Sequence, residues 1–378
     1  MNKETKEIQE IAPETKKKKL PLFAKIFFCV GALSAVLYVI FLFSESFSDF
    51  FNRYISSVFR TVMAYATGWI PFSFGEFILI LSPILITAAV IYGSTRYVDT
   101  WREVFIYCGS LLSVIAFIFS AFTFGFAPAY RGSTLDKKLD IDRQKVSAEE
   151  LYETALILAE KVNEESENIA YNPKTGFSVM PYGIDGMNDR LIDAYGLACD
   201  KYTFVQRLDS RLKPVMLSEL MSYTHITGVY SFFTGEANIN VAFPDYTIPF
   251  TAAHELSHQR GIAREDEANF MAFLVCIDSE DPYIRYSGYL NLFEYVISAL
   301  YSASPDLYAS AIARIDPKVR IEMRAYSAFF DKYRDSTASK VSETVNNTSL
   351  ILQGTEGTKS YGMVVDLTVA YYKDLKAQ

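Results

Sequence analysis

Histidine is almost missing from this chain, which has three in 378 residues. Cysteine is scarcely commoner at four, and no CxxC pair occurs, which excludes a cysteine-built metal or redox centre of the usual spacing. Net positive charge is lacking as well. The formal charge is -8, so the attraction to phosphate backbones on which nucleic-acid binding depends is absent. There is no internal repeat, which excludes a solenoid. Cys29 and Cys108 fall inside apolar stretches. Cys199 and Cys276 belong to the polar remainder and can pair if that part lies in an oxidising compartment.

Apolar and aromatic residues are in excess, at 50% and 15% of the chain, and they gather in three early blocks. The first, about 20–43, reads LPLFAKIFFCVGALSAVLYVIFLF with Lys25 its single charge. Its length suits a bilayer crossing, and its bulky end offers no small-residue cleavage site, so it reads as an uncleaved anchor. Further spans are expected at about 77–93 and 104–127; Pro83 in the second is tolerated in a membrane helix. Between the first two, Phe47, Phe50, Phe51, Tyr54 and Val58 recur near helical spacing with Arg53 and Arg60 interspersed. That pattern predicts an interfacial helix over about 46–69, lying on the lipid bilayer. Residues 1–19 form a basic tail with Lys16 to Lys19 beside the first span, which places the N-terminus in the cytoplasm. Three crossings then put the loop with Arg96 and Arg102 inside and residues 131–378 outside the cell.

Residues 131–378 are mixed in character and long enough for one core. Ser147 and Glu150 form a capping box for a helix whose face carries Leu151, Ala155, Leu158 and Val162. Other helices are expected near 187–200, 208–222, 249–260, 264–276, 288–303 and 318–345, while 361–372 is ambiguous between strand and helix. Residues 237–243 alternate apolar and polar, with Asn238 and Asn240 on the polar face. They predict a half-buried edge strand against which an extended peptide can pair. The fold class expected is an N-terminal set of transmembrane helices followed by a mainly helical α+β domain with a small edge-strand sheet.

Two of the three histidines stand in His254-Glu255-Leu256-Ser257-His258. Four-residue spacing places both imidazoles on one helix face, where they can hold a zinc ion (Zn2+), with Glu255 beside them as general base toward a water. An ordinary solvated helix fits less well. Ile248-Pro249-Phe250 and Ala252-Ala253 mark this helix as buried, where uncommitted histidines and a carboxylate are costly. A catalytic site needs a third ligand, and Glu265, Asp266 and Glu267 follow after a turn allowed by Gly261. Glu265 and Asn269 share a helix face, while Glu267 stays a rival ligand. His225, Tyr230 and Tyr301 are candidate donors to a transition-state oxyanion.

His254-Glu255-x-x-His258 followed by Glu265-x-x-Ala268-Asn269 resembles the gluzincin pattern. The resemblance implies a zincin-like domain, Glu265 as zinc ligand and Asn269 as support for a zinc-binding histidine. The wider string from Asn238 to Cys276 also resembles a bacterial family of multi-span membrane proteins carrying a predicted metallopeptidase domain and no assigned function. The function expected is a membrane-anchored zinc-dependent peptidase acting on a peptide or protein at the outer membrane face. The alternatives are a zinc-binding membrane sensor or assembly factor without turnover, and a hydrolase of a cell-wall amide. Cleavage within the bilayer fits poorly, because Arg260, Arg264, Glu265, Asp266 and Glu267 are costly in hydrocarbon.

Overall fold

Twenty-two helical residues rise about 33 Å, enough to cross the apolar core of a bilayer. The computed structural model describes residues 18–97, 99–334, 336–355 and 363–377, so most of the basic tail and the start of the 361–372 run lie outside the described residues. Helix α1 (Leu22–Phe43) leads to α2 (Glu45–Phe51), a π-helical turn at Asn52–Ser56 and α3 (Ser57–Gly68). Two long helices follow, α4 (Phe74–Arg96) and α5 (Trp101–Gly125). Helices α1, α4 and α5 are long and apolar enough to span a membrane, and the sequence placed all three. The starts of α4 and α5 are set by Ser73 and Thr100, whose hydroxyls accept the Glu76 and Glu103 backbone N–H groups. Helices α1 and α5 approach closely at Gly31, where an added Cβ would lie 2.9 Å from the Ala116 Cβ. The interfacial segment is helical as expected, with Tyr54, Val58, Val62 and Tyr65 exposed and Arg60 buried on the opposite side.

The remaining chain comprises α6 (Leu135–Leu139), α7 (Ala148–Ser166), α8 (Ile184–Lys201), β1 (Lys213–Pro214), α9 (Ser218–Ser222), β2 (Gly228–Ser231) and β3 (Glu236–Ile239). After these come α10 (Thr247–Gln259), α11 (Glu265–Ile277), α12 (Pro282–Ala303), α13 (Pro305–Ile312), α14 (Pro317–Asp331), α15 (Thr337–Leu352) and α16 (Val364–Ala377). The Ser147–Glu150 capping box is present at the start of α7. One core cluster runs through α7, α8, α10, α11, α12 and α16, so the hydrophobic support for α10 and α11 comes from several helices at once.

Several expectations change. The helix foreseen at 208–222 is only α9, because Asn188 ties down both the N–H and the carbonyl of Leu212 and Pro214 follows in an extended strand. The 288–303 helix starts earlier, at Pro282, where Asp281 caps the Tyr283 and Ile284 N–H groups. The 318–345 helix is two helices, α15 being restarted by Ser336, which caps Ser339. The described part of the 361–372 run belongs to the helix α16. Cys199 and Cys276 are free thiols rather than a disulfide.

The largest correction concerns the sheet. Its order is β1-β3-β2, with β1 parallel and β2 antiparallel to β3, so the predicted edge strand is the central one. A peptide cannot add to β3, since both its sides are taken. The alternation misled because the polar face meets protein instead of water. The Asn238 side-chain amide donates to the Val229 carbonyl, and that of Asn240 to the Ile226 carbonyl and the Ser222 hydroxyl. Asn238 and Asn240 are therefore buried structural amides, and the edge strands of the sheet are β1 and β2.

Candidate metal centre

Helix α10 is buried along nearly its whole length, His254, Glu255 and His258 included. It ends at Gly261, whose φ of +89° lies in the left-handed region that glycine adopts without strain. The Gly261 N–H donates to the His258 carbonyl and the Ile262 N–H to that of Ser257, which turns the chain at once into α11. The short turn brings the first residue of α11, Glu265, back over the two imidazoles.

The His254 and His258 Nε2 atoms lie 3.2 and 3.4 Å from the same oxygen, Glu265 Oε2. One ligand atom from each of the three residues lies within 4.8 Å of the others. Ligands about 2.0–2.1 Å from a tetrahedral zinc are separated from one another by roughly 3.3 Å, so the donor spacing fits such an ion. Hydrogen bonding sharpens the point. His258 Nδ1 faces the Ile262 carbonyl at 2.8 Å; a carbonyl can only accept, so Nδ1 carries a proton and Nε2 is the nitrogen turned to Glu265. An imidazole nitrogen and a carboxylate oxygen this close share either a proton or a metal ion.

In the metal-free chain the shared cation is a proton. Burial disfavours a charged ring at His258, yet Glu265 and Glu255 outweigh it and draw its pKa up to about 9. Burial pushes the Glu265 carboxyl upward, but the two histidines reverse this and hold it well below the usual carboxylate range. At Glu255, burial raises the pKa to about 7 against the pull of His254 and His258. Glu255 Oε2 is buried without a hydrogen-bond partner, which leaves it free to accept a proton.

Strand β2 passes directly over Glu255. An added Cβ on Gly228 would fall 2.6 Å from Glu255 Oε1, so only glycine permits the approach, and the Tyr230 backbone N–H reaches the Glu255 carboxylate. The other acids of α11 have different commitments. Asp266 pairs with Arg143 at 2.9 Å. Glu267 accepts from Arg264 and from the Leu135 N–H, both at 2.9 Å, so the rival ligand is engaged away from the imidazoles. Asn269 is buried with its side-chain amide against the Tyr295 hydroxyl; no hydrogen bond joins it to a histidine ring. The support expected from Asn269 thus comes, for His258, from the Ile262 carbonyl.

The three candidate donors do not converge on the site. His225 lies in a loop with its Nε2 at 3.0 Å from the Tyr333 carbonyl and its ring against Phe330. Tyr301 is exposed and packs on Tyr308. The Tyr230 ring is stacked near Phe126, and its buried hydroxyl feels Arg60. Instead Tyr130, just after α5, and Tyr295, on α12, both feel the charge of Glu265; burial with that charge raises both phenols, Tyr295 to about 12. Nothing in the sequence separates these two from the 26 tyrosines present.

The fold and site define a mostly helical, membrane-associated protein with three buried side chains, His254, His258 and Glu265, close enough together to hold a metal ion. A family model described as "Protein of unknown function (DUF3810)" matches residues 47–369, so the chain belongs to that family. No curated protein and no solved structure matches it.

Proposed function

We propose that the protein is a membrane-anchored zinc-dependent peptidase whose active site faces the extracytoplasmic side. The observation that carries this reading is the convergence of His254, His258 and Glu265 on one point, with the unpartnered Oε2 of Glu255 buried beside it. The chemistry zinc supplies when bound there is Lewis acidity toward a carbonyl and toward water. Within this reading His254, His258 and Glu265 hold the ion, and the Ile262 carbonyl fixes the His258 ring. Glu255 Oε2 accepts a proton from the attacking water and returns it to the leaving amine. Tyr130 and Tyr295 are the phenols placed to donate to the oxyanion. Gly228 to Ser231 form an edge strand of the sheet, along which an extended peptide aligns beside the Tyr230 N–H held by Glu255. The lysine-rich N-terminus, followed by three crossings, places this domain outside.

A second reading, a zinc-binding sensor, is favoured by one bond: the Asn52 side-chain amide donates to the Gly261 carbonyl at 2.9 Å, tying the interfacial segment to the end of the metal helix. Peptide-library cleavage by the full chain in detergent separates the two. The peptidase reading expects zinc-dependent cleavage that falls by about 10²- to 10⁴-fold in Glu255→Gln at unchanged zinc content. Stoichiometric zinc with no cleavage of any peptide favours the sensor.

A further inference from the structure

A cavity of about 540 Å³ opens where the π-helical turn and α3 meet the domain, and its walls include Arg53, Val58, Arg60, Lys138 and Arg260. Arg60 and Arg260 are each only 2% exposed. A buried guanidinium is costly unless a negative charge accompanies it, and neither of these pairs with an acid among the described residues. Arg60 donates to neutral oxygens, those of the Asn52 side chain at 2.8 Å, the Gly125 carbonyl at 2.9 Å and the Gln206 side chain at 3.1 Å. Arg260 donates to the Leu256 and Leu208 carbonyls and stacks 3.9 Å over the Tyr195 ring, while its Nε is buried with no partner. Burial lowers the Arg60 pKa to about 10, with no carboxylate to hold it up. The acid in the wall, Asp49, is already spent on the Ser133 N–H and hydroxyl and on Lys138. The cavity is therefore lined by positive charge in excess.

Its position narrows the ligand. Val58 and Val62 belong both to the cavity wall and to the exposed apolar row of α3, next to the membrane-length helices. An occupant there meets guanidinium groups on one side and a lipid-facing surface on the other. We propose that this cavity binds a phosphate-bearing anion, and its place beside the apolar row favours the headgroup phosphate of an anionic membrane lipid as the source. Planar guanidinium forks suit phosphate oxygens, and Arg53 and Lys138 add charge at the rim.

The test uses the full chain in neutral detergent, incubated with phosphatidylglycerol, phosphatidylcholine or inorganic phosphate, with bound molecules counted by native mass spectrometry. The wild type retains one phosphatidylglycerol and binds phosphatidylcholine about tenfold more weakly. Thr203→Trp, an exposed wall position, blocks the cavity and lowers phosphatidylglycerol retention about tenfold. The paired rim change Arg53→Gln with Lys138→Gln weakens it several-fold at unchanged melting temperature, and decides the matter alone if Thr203→Trp misfolds. Inorganic phosphate binding with the same sensitivity, without lipid retention, keeps the anion site and assigns it to a free phosphate. Binding of neither anion, or binding indifferent to these variants, overturns the proposal.

Discussion

Helices α4 and α11 are both strongly apolar, yet they bury opposite things. On α4, Leu79, Ile84 and Ile86 are each more than 60% exposed, and the charged groups, Glu76 and Arg96, sit at the ends. On α11 every residue from Glu265 to Cys276 is buried, three acids among them. Exposed apolar surface on α4 asks for lipid. Buried carboxylates on α11 ask for cations, and two of the three have arginines: Asp266 has Arg143 and Glu267 has Arg264. Glu265 has only the two imidazoles. Three neighbouring acids in one buried turn thus separate structural ion pairs from the proposed ligand set, and that difference can be broken experimentally.

The largest effect belongs to Glu265→Gln. It removes the one acid whose partners are imidazoles, so zinc affinity, read by competition with a chelator, falls by about a hundredfold or more, beyond what loss of a supporting residue costs. Glu267→Gln sharpens the contrast from the other side. It leaves Arg264 without its carboxylate and lowers unfolding stability by about 2 kcal/mol, with zinc affinity nearly unchanged. If the two variants exchange roles, Glu267 is the ligand.

Gly228→Ala acts at the other wall of the site. The added methyl must displace the Glu255 carboxylate or β2, so stability falls by about 1–3 kcal/mol in denaturant melts and peptide cleavage falls with it. Unchanged stability and cleavage would refute the close passage of β2 over Glu255.

A further effect is a pH slope outside the candidate metal centre. Burial raises the Glu294 pKa to about 8, against hydrogen bonds from the Tyr246 hydroxyl. The folded state then holds a proton that the unfolded state releases near pH 4.5. The stability contribution is complete below that value and is lost as pH rises toward 8. Glu294→Gln should flatten this part of the stability–pH curve; an identical slope in the variant contradicts the assignment.

What was legible in the sequence was what local spacing encodes. His254 and His258 share a face because four residues make about one turn, and Glu265 follows a turn that Gly261 permits. The membrane-length helices were legible because length and apolarity are properties of a single segment. The position of β3 was not, since Lys213–Pro214, which takes its second side, lies well upstream in the chain and its asparagines bond to protein as readily as to water. Tyr130 and Tyr295 were illegible for the same reason: they reach Glu265 from the end of α5 and from α12, and no spacing relates them to the motif. The split of α14 from α15 turned on Ser336, a cap hidden in a polar run.

Zinc-edge X-ray absorption on the full chain in detergent tests the metal centre most directly. The account predicts one zinc per chain with two imidazole nitrogens and oxygen ligands at about 2.0–2.2 Å, the imidazole signature being lost in His258→Ala. Absence of stoichiometric zinc, or a sulfur shell near 2.3 Å, would contradict it.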